Sequence, residues 1–208
     1  MIRAISTMLV GFLCLLGGAP ALELALTERQ PTGLACGDLD PEHRSARWLS
    51  LSGCRLSWAE AGYATVGKSV TEVYVPVRAD AEEASAPVRF VLASRGAEHL
   101  RLGEALWAAH GDPAGMQEAL TAHRATTAKA DELRGVWREL GELSAEEREV
   151  LRGLPVSLGT KVGVLDDGAT PDLGTGLVLC LVAVICAVIA ARGLRRRRQW
   201  RRPDGATG

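Results

Sequence analysis

The sequence predicts an α+β domain with a small mixed or antiparallel sheet and two or three helices, anchored by one C-terminal transmembrane helix. Three observations carry that reading. Segments 47–58, 69–78 and 87–94 alternate apolar and polar residues with a period of two, as half-buried strands do. Segments 97–109, 113–140 and 145–152 carry apolar residues at helical spacing between capping residues. Finally, Leu173 to Ala191, LGTGLVLCLVAVICAVIAA, holds no charge and runs into Arg192 and the cluster Arg195, Arg196, Arg197 and Arg198. About 20 apolar residues cross a hydrocarbon core as a helix, and a basic flank marks the cytosolic end.

The chain opens with Arg3, an apolar run from Met8 to Leu16, and the small residues Ala19-Pro20-Ala21. That order describes a secretory signal peptide over 1–21, with an uncleaved N-terminal anchor as the competing reading. Residues 22–172 then form the extracytoplasmic α+β domain, 173–191 the transmembrane helix and 192–208 an arginine-rich cytosolic tail. The expected location is a plasma or inner membrane, single-pass, with the N-terminal domain outside.

Residues 27–45 are rich in turn formers and read as an irregular lead-in. RWLSLSGCRLSW, 47–58, is the first strand, with Gly53 as a bulge. SVTEVYVPVR, 69–78, is the second, with Val73, Val75 and Val77 on one face and Glu72, Tyr74 and Pro76 on the other. Proline cannot donate to a ladder, so this strand is expected at an edge or to end there. An acidic loop, 79–86, leads to a third strand, 87–94, and the two pair as an antiparallel hairpin. A helix over 97–109 stops at Gly111. Asp112-Pro113 opens a long helix to about Leu140, with Leu133, Val136, Trp137 and Leu140 on one face. Trp137 is therefore expected to be buried in the core or under a partner, which makes it a candidate partner surface. Ser144-Ala145-Glu146-Glu147 is a capping box for a short helix to Arg152, and 156–165 is a last strand.

Charge and cysteines limit the function classes. The overall charge is -1, but without Arg3 and the tail 16 basic residues face 24 acidic ones, near -8. An acidic domain argues against a nucleic-acid partner, since such affinity comes from cations neutralising phosphates. The arginine patch instead suits membrane lipid. Of five cysteines, Cys14, Cys180 and Cys186 lie in apolar segments. Cys36 and Cys54 remain and are expected to form a disulfide in an oxidising compartment.

Motifs for chemistry are weak. Gly62 to Ser69 matches G-x-x-x-x-G-K-[ST], the phosphate-binding loop pattern, but the following VTEVYVPV reads as a strand, whereas that loop must open a helix. A glycine-bearing turn fits better, and no nucleotide is expected. His43, His99, His110 and His123 show no tight metal-ligand spacing; His99 and His110 share a helix face but stand about 16 Å apart. Ser94 could display a nucleophile at a strand end, yet LASRGA lacks the G-x-S-x-G turn and a helix-capping role fits it. Glu82, Glu83, Glu146 and Glu147 read as solvated surface acids. Small residues four apart in 173–191 favour helix packing. No catalytic residue, metal or cofactor is assigned. The expected function is a membrane-anchored extracytoplasmic interaction or assembly subunit without catalysis, meeting a membrane-protein partner through its outside domain or its helix. The alternative is an anchored enzyme, a hydrolase, with its site near Ser94.

Overall fold

The computed structural model describes residues 23–40, 46–83, 86–127, 132–171 and 173–200, with Leu9, Phe12 and Cys14 as single helical positions. Apart from those three, the expected signal peptide over 1–21 lies outside the described residues. The chain divides into two compact units, Gln30–Thr170 and a second comprising Met1–Arg29 with Pro171–Gly208.

The first unit is built on eight strands rather than a small sheet. They are β1 (Thr32–Ala35), β2 (Trp48–Ser52), β3 (Cys54–Leu56), β4 (Gly62–Val66), β5 (Ser69–Ala79), β6 (Val88–Ser94), β7 (Glu132–Glu139) and β8 (Leu158–Asp167). Their order is β1-β2-β7-β8-β6-β5-β3, with β4 also on β5. β3, at one end of that order, is covalently continuous with β2, next to the other end. β2 runs into β3 through Gly53, whose φ of 65 suits glycine. β2 pairs with β7 and β3 pairs with β5, so one bent strand serves both ends and the sheet nearly closes into a barrel. Counting β2–β3 as one, the barrel strands neighbour each other in the order 1-2-3-5-4-1, the third and fifth parallel and the rest antiparallel. This is the connectivity of the five-stranded Greek-key barrel of OB type.

Alternation fills the barrel. Leu49, Leu51, Val73, Val75, Val77, Phe90, Leu92, Leu133, Trp137 and Leu165 form one buried cluster. Leu102 and Leu106 join it from α1 (Ala97–Ala108), in the crossover between β6 and β7. That crossover continues through α2 (Pro113–Ala122), capped by Asp112 Oδ1 accepting the Ala114 amide at 3.0 Å, and α3 (Arg124–Thr127). A second cluster, with Tyr74, Val91, Ala93 and Val164, lies under α4 (Ala145–Arg152) through Leu151 and Leu154. Both sides of the Ser144–Glu147 capping box are made. β5 is therefore buried on both faces, valines on one and Tyr74 on the other.

Several expectations are corrected. Residues 132–139 are a strand, not the end of a long helix. Leu133, Gly135 and Trp137 point one way with a period of two, and Gly135 has no room for a Cβ, which would lie 2.1 Å from the Asp166 carbonyl. Trp137, 1% exposed inside the barrel, offers no surface to a partner. Pro76 sits within a central strand. Its carbonyl accepts the Ser57 amide at 2.9 Å, so its missing N–H faces the interruption between β4 and β3, where no ladder partner requires it. The lead-in is partly regular, since β1 adds parallel to β2.

The second unit holds a helix over residues 23–27 and α5 (Leu173–Trp200). Along α5, Ala183 and Ala190 are buried, while Leu177, Val178, Leu181, Val184, Ile185, Val188 and Ile189 are exposed. Among the described residues no helix is long and apolar enough to cross a membrane, which overturns the expected transmembrane span and single-pass location.

Candidate functional site

A groove opens beside the barrel where three sequence-distant stretches, 59–63, 106–116 and 150–155, meet. The turn after β3 supplies Ala59 and Ala61, and the start of β4 supplies Gly62 and Tyr63. α1 and the turn after it supply Leu106, Trp107, His110 and Gly111, and α2 supplies Met116. The end of α4 and its following loop supply Val150, Gly153 and Pro155. Its volume is about 490 Å³, and no Asp, Glu, Lys or Arg lines it.

Close packing sets the groove's shape. A Cβ on Gly62 would lie 2.8 Å from Leu154 Cδ2 and 3.0 Å from Val150 Cγ1, so glycine lets β4 and α4 meet. A Cβ on Gly103 would lie 2.6 Å from Val73 Cγ2, so glycine seats α1 on β5. α1 then presents Trp107, which is 45% exposed. Its indole meets the Tyr63 ring edge-on at 5.8 Å and stacks with His110 at 6.0 Å, 27° from parallel. Burial pushes the Tyr63 phenol up to about 12, so it remains a neutral hydroxyl at ordinary pH.

A second cluster lies at the ends of the parallel pair β6 and β8. Ser94 Oγ donates to Asp167 Oδ2 at 2.7 Å and accepts the Gly96 amide at 3.2 Å. His99 Nδ1 lies 2.7 Å from Ser94 Oγ and 3.1 Å from Asp167 Oδ2, and its ring meets Trp58 edge-on at 5.2 Å. For Asp167, burial raises the carboxyl's pKa, but hydrogen bonds from His99 and Ser94 prevail and hold it below the usual range. A nucleophile–base–carboxylate relay needs the imidazole to bridge serine and carboxylate through its two different nitrogens. Here both groups converge on Nδ1, the serine proton faces the carboxylate, and Ser94 is 1% exposed. The cluster ties α1 to the barrel. Gly96, not Ser94, is the N-cap residue.

A third feature is an ionic cleft of about 620 Å³ beside α4. Buried Glu72 accepts from the Tyr74 hydroxyl at 2.8 Å and pairs with Arg95 at 3.1 Å. Arg138 bonds Glu147 and Asp166, each at 2.7 Å. Its Nε lies 2.7 Å from Asp166 Oδ2 but is out of line for a hydrogen bond. Burial, reinforced by Glu72, pushes the Tyr74 phenol far up. Burial works against the Arg138 cation, yet the two carboxylates raise its pKa above the ordinary value. Burial also opposes ionisation of Glu147, but Arg138 and Ser144 draw it down to about 2, whereas burial leaves Asp166 raised. Glu147, expected as a solvated acid, is thus a bridge between α4 and the sheet.

The residues singled out in the sequence are scattered. Cys36 and Cys54 form a buried disulfide with Cα atoms 5.3 Å apart, fixing β1's end to β3. The G-x-x-x-x-G-K-S stretch is β4, a turn at Gly67-Lys68 and the start of β5, with no helix to hold a phosphate. His110 belongs to the groove, His99 to the Ser94 cluster, and His123 ends α2; His43 lies outside the described residues. Among the described residues no group of three or more His, Cys, Asp or Glu is placed to hold a metal. Leu173 opens α5 and Ala191 is exposed on it, while the side chains of Arg195 to Arg198 lie outside those described. Comparison with protein-family models, curated proteins and solved structures finds no match to this chain.

Proposed function

We propose that this protein is a non-catalytic interaction module that binds an uncharged, apolar part of its partner in the Tyr63–Trp107–Met116 groove. The carrying observation is the half-exposed Trp107, fixed between Tyr63 and His110 over a cleft with no Asp, Glu, Lys or Arg in its lining. Its 490 Å³ falls within the usual 300–1,000 Å³ of ligand sites, which are mostly apolar with a few polar groups. Tyr63 and His110 supply such groups. The hydrolase alternative draws no support from Ser94, whose hydroxyl is buried and committed to Asp167.

The test is a titration of the full chain with uncharged aromatic and branched aliphatic fragments, read by indole fluorescence and by chemical shifts. The reading expects saturable responses that disappear in Trp107→Ala while the melting temperature is retained. Responses unaffected by Trp107→Ala would defeat it.

A further inference from the structure

We infer that the groove's partner is a polypeptide segment with an apolar anchor flanked by lysine or arginine, an inference that rests on the groove reading above. The floor accepts no charge, because no Asp, Glu, Lys or Arg lines it and an unpaired ion would lose its hydration there. The rim is acidic on the α1 side. Glu104 is exposed on α1 one turn before Trp107, hence on the same side of that helix. Asp112 follows Gly111 at the groove's end and spends Oδ1 on capping α2. Across the groove, Glu149 adjoins Val150 and Arg152 adjoins Gly153; the two pair at 3.2 Å, so that wall carries little net charge.

The wider field has the same sign. Between Gln30 and Thr170 there are 15 Lys and Arg against 21 Asp and Glu, a net of -6. Such a field concentrates cations at the groove and repels anionic lipid headgroups and nucleic acids. The uncompensated charge lies on the α1 side, at Glu104 and Asp112. An occupant that complements it carries cations beside its apolar anchor, which a peptide such as basic-apolar-basic provides in either orientation.

The experiment uses the full chain and three synthetic peptides with blocked termini, Lys-Lys-Leu-Phe-Leu-Lys-Lys, its serine-flanked form and its glutamate-flanked form, titrated by calorimetry. The lysine peptide is expected to bind about tenfold more tightly than the serine peptide at low salt, an advantage that shrinks at about 0.5 M salt. The glutamate peptide is expected to bind weakest. The change E104Q should cut affinity for the lysine peptide about 3-fold and leave the serine peptide unchanged. Trp107→Ala should weaken both by at least about tenfold. Equal binding of lysine and serine peptides, both dependent on Trp107, would overturn the charge inference and leave the groove reading intact. No Trp107-dependent binding of any peptide would overturn both.

Discussion

Removing the Trp137 side chain tests the barrel interior most directly. Trp137 is 1% exposed, packs 5.9 Å from the Phe90 ring, and lies over Gly163, where a Cβ would fall 1.8 Å from its Cζ2. Loss of a buried Trp side chain costs about 3–5 kcal/mol, from lost burial and the cavity left behind. For a unit of this size, at about 3 °C per kcal/mol, that lowers the melting temperature by about 10–15 °C. Gly163→Ala should also destabilise, by about 1–3 kcal/mol, because the new methyl must displace the indole. Combined with Trp137→Ala the same methyl enters vacated space, so the two costs should fall short of their sum by about 1–3 kcal/mol. Chemical denaturation of the two single variants and the double variant measures this coupling. Costs that add within about 0.5 kcal/mol would show that the indole does not cover Gly163, and the packing described for the barrel would fail with it.

Three further outcomes are expected. Glu147, drawn down to about 2, contributes stability that is complete above the ordinary glutamate value of about 4.3 and is lost as pH falls from there toward 2. Melting curves should show that acid loss diminished in Arg138→Gln, and identical acid dependence in both proteins would refute the Arg138–Glu147 link. Cys54→Ser should abolish the mobility shift on reduction and cost about 3 kcal/mol by the chain-entropy argument, for a bridge separated by 18 residues; mass spectrometry finding both thiols free in the native protein would contradict it. Lys68→Ala, in an exposed hairpin turn, should change the melting temperature by less than about 2 °C and leave peptide binding intact, whereas saturable nucleotide binding lost in that variant would contradict the turn assignment.

Local chemistry made much of the framework readable. Asp112-Pro113 and Ser144-Ala145-Glu146-Glu147 are caps whose mechanism spans three or four residues, and both open helices as expected. The β5–β6 hairpin follows from alternation, and the Cys36–Cys54 bridge from position. Segment 132–140 was misleading because Leu133, Val136, Trp137 and Leu140 satisfy helical spacing while Leu133, Gly135 and Trp137 satisfy a strand. Gly135 decides between them, since it is where the chain presses on the Asp166 backbone. Pro76 misled for a different reason: its place depends on a gap between β4 and β3, a relation among segments that local alternation does not carry. The groove was hidden for the same reason. Tyr63, Trp107, Met116 and Val150 converge only after the barrel forms, and Tyr63 lay inside a motif that suggested phosphate binding.

The bent strand at Gly53 also dictates an order of events during synthesis. β3 can find β5 within about two dozen residues of chain, and the Cys36–Cys54 bridge needs nothing later than position 54. β2 must wait for β7, so Leu51 meets Leu133 only after some eighty further residues have emerged. Until then the ladder groups on β2's β7-facing edge have no strand to meet, and an unpaired edge is where a nascent chain recruits neighbours. The same hinge residue that closes the finished barrel thus sets a long interval in which the ribosome-bound chain is open on one side, and chaperone dependence should concentrate there.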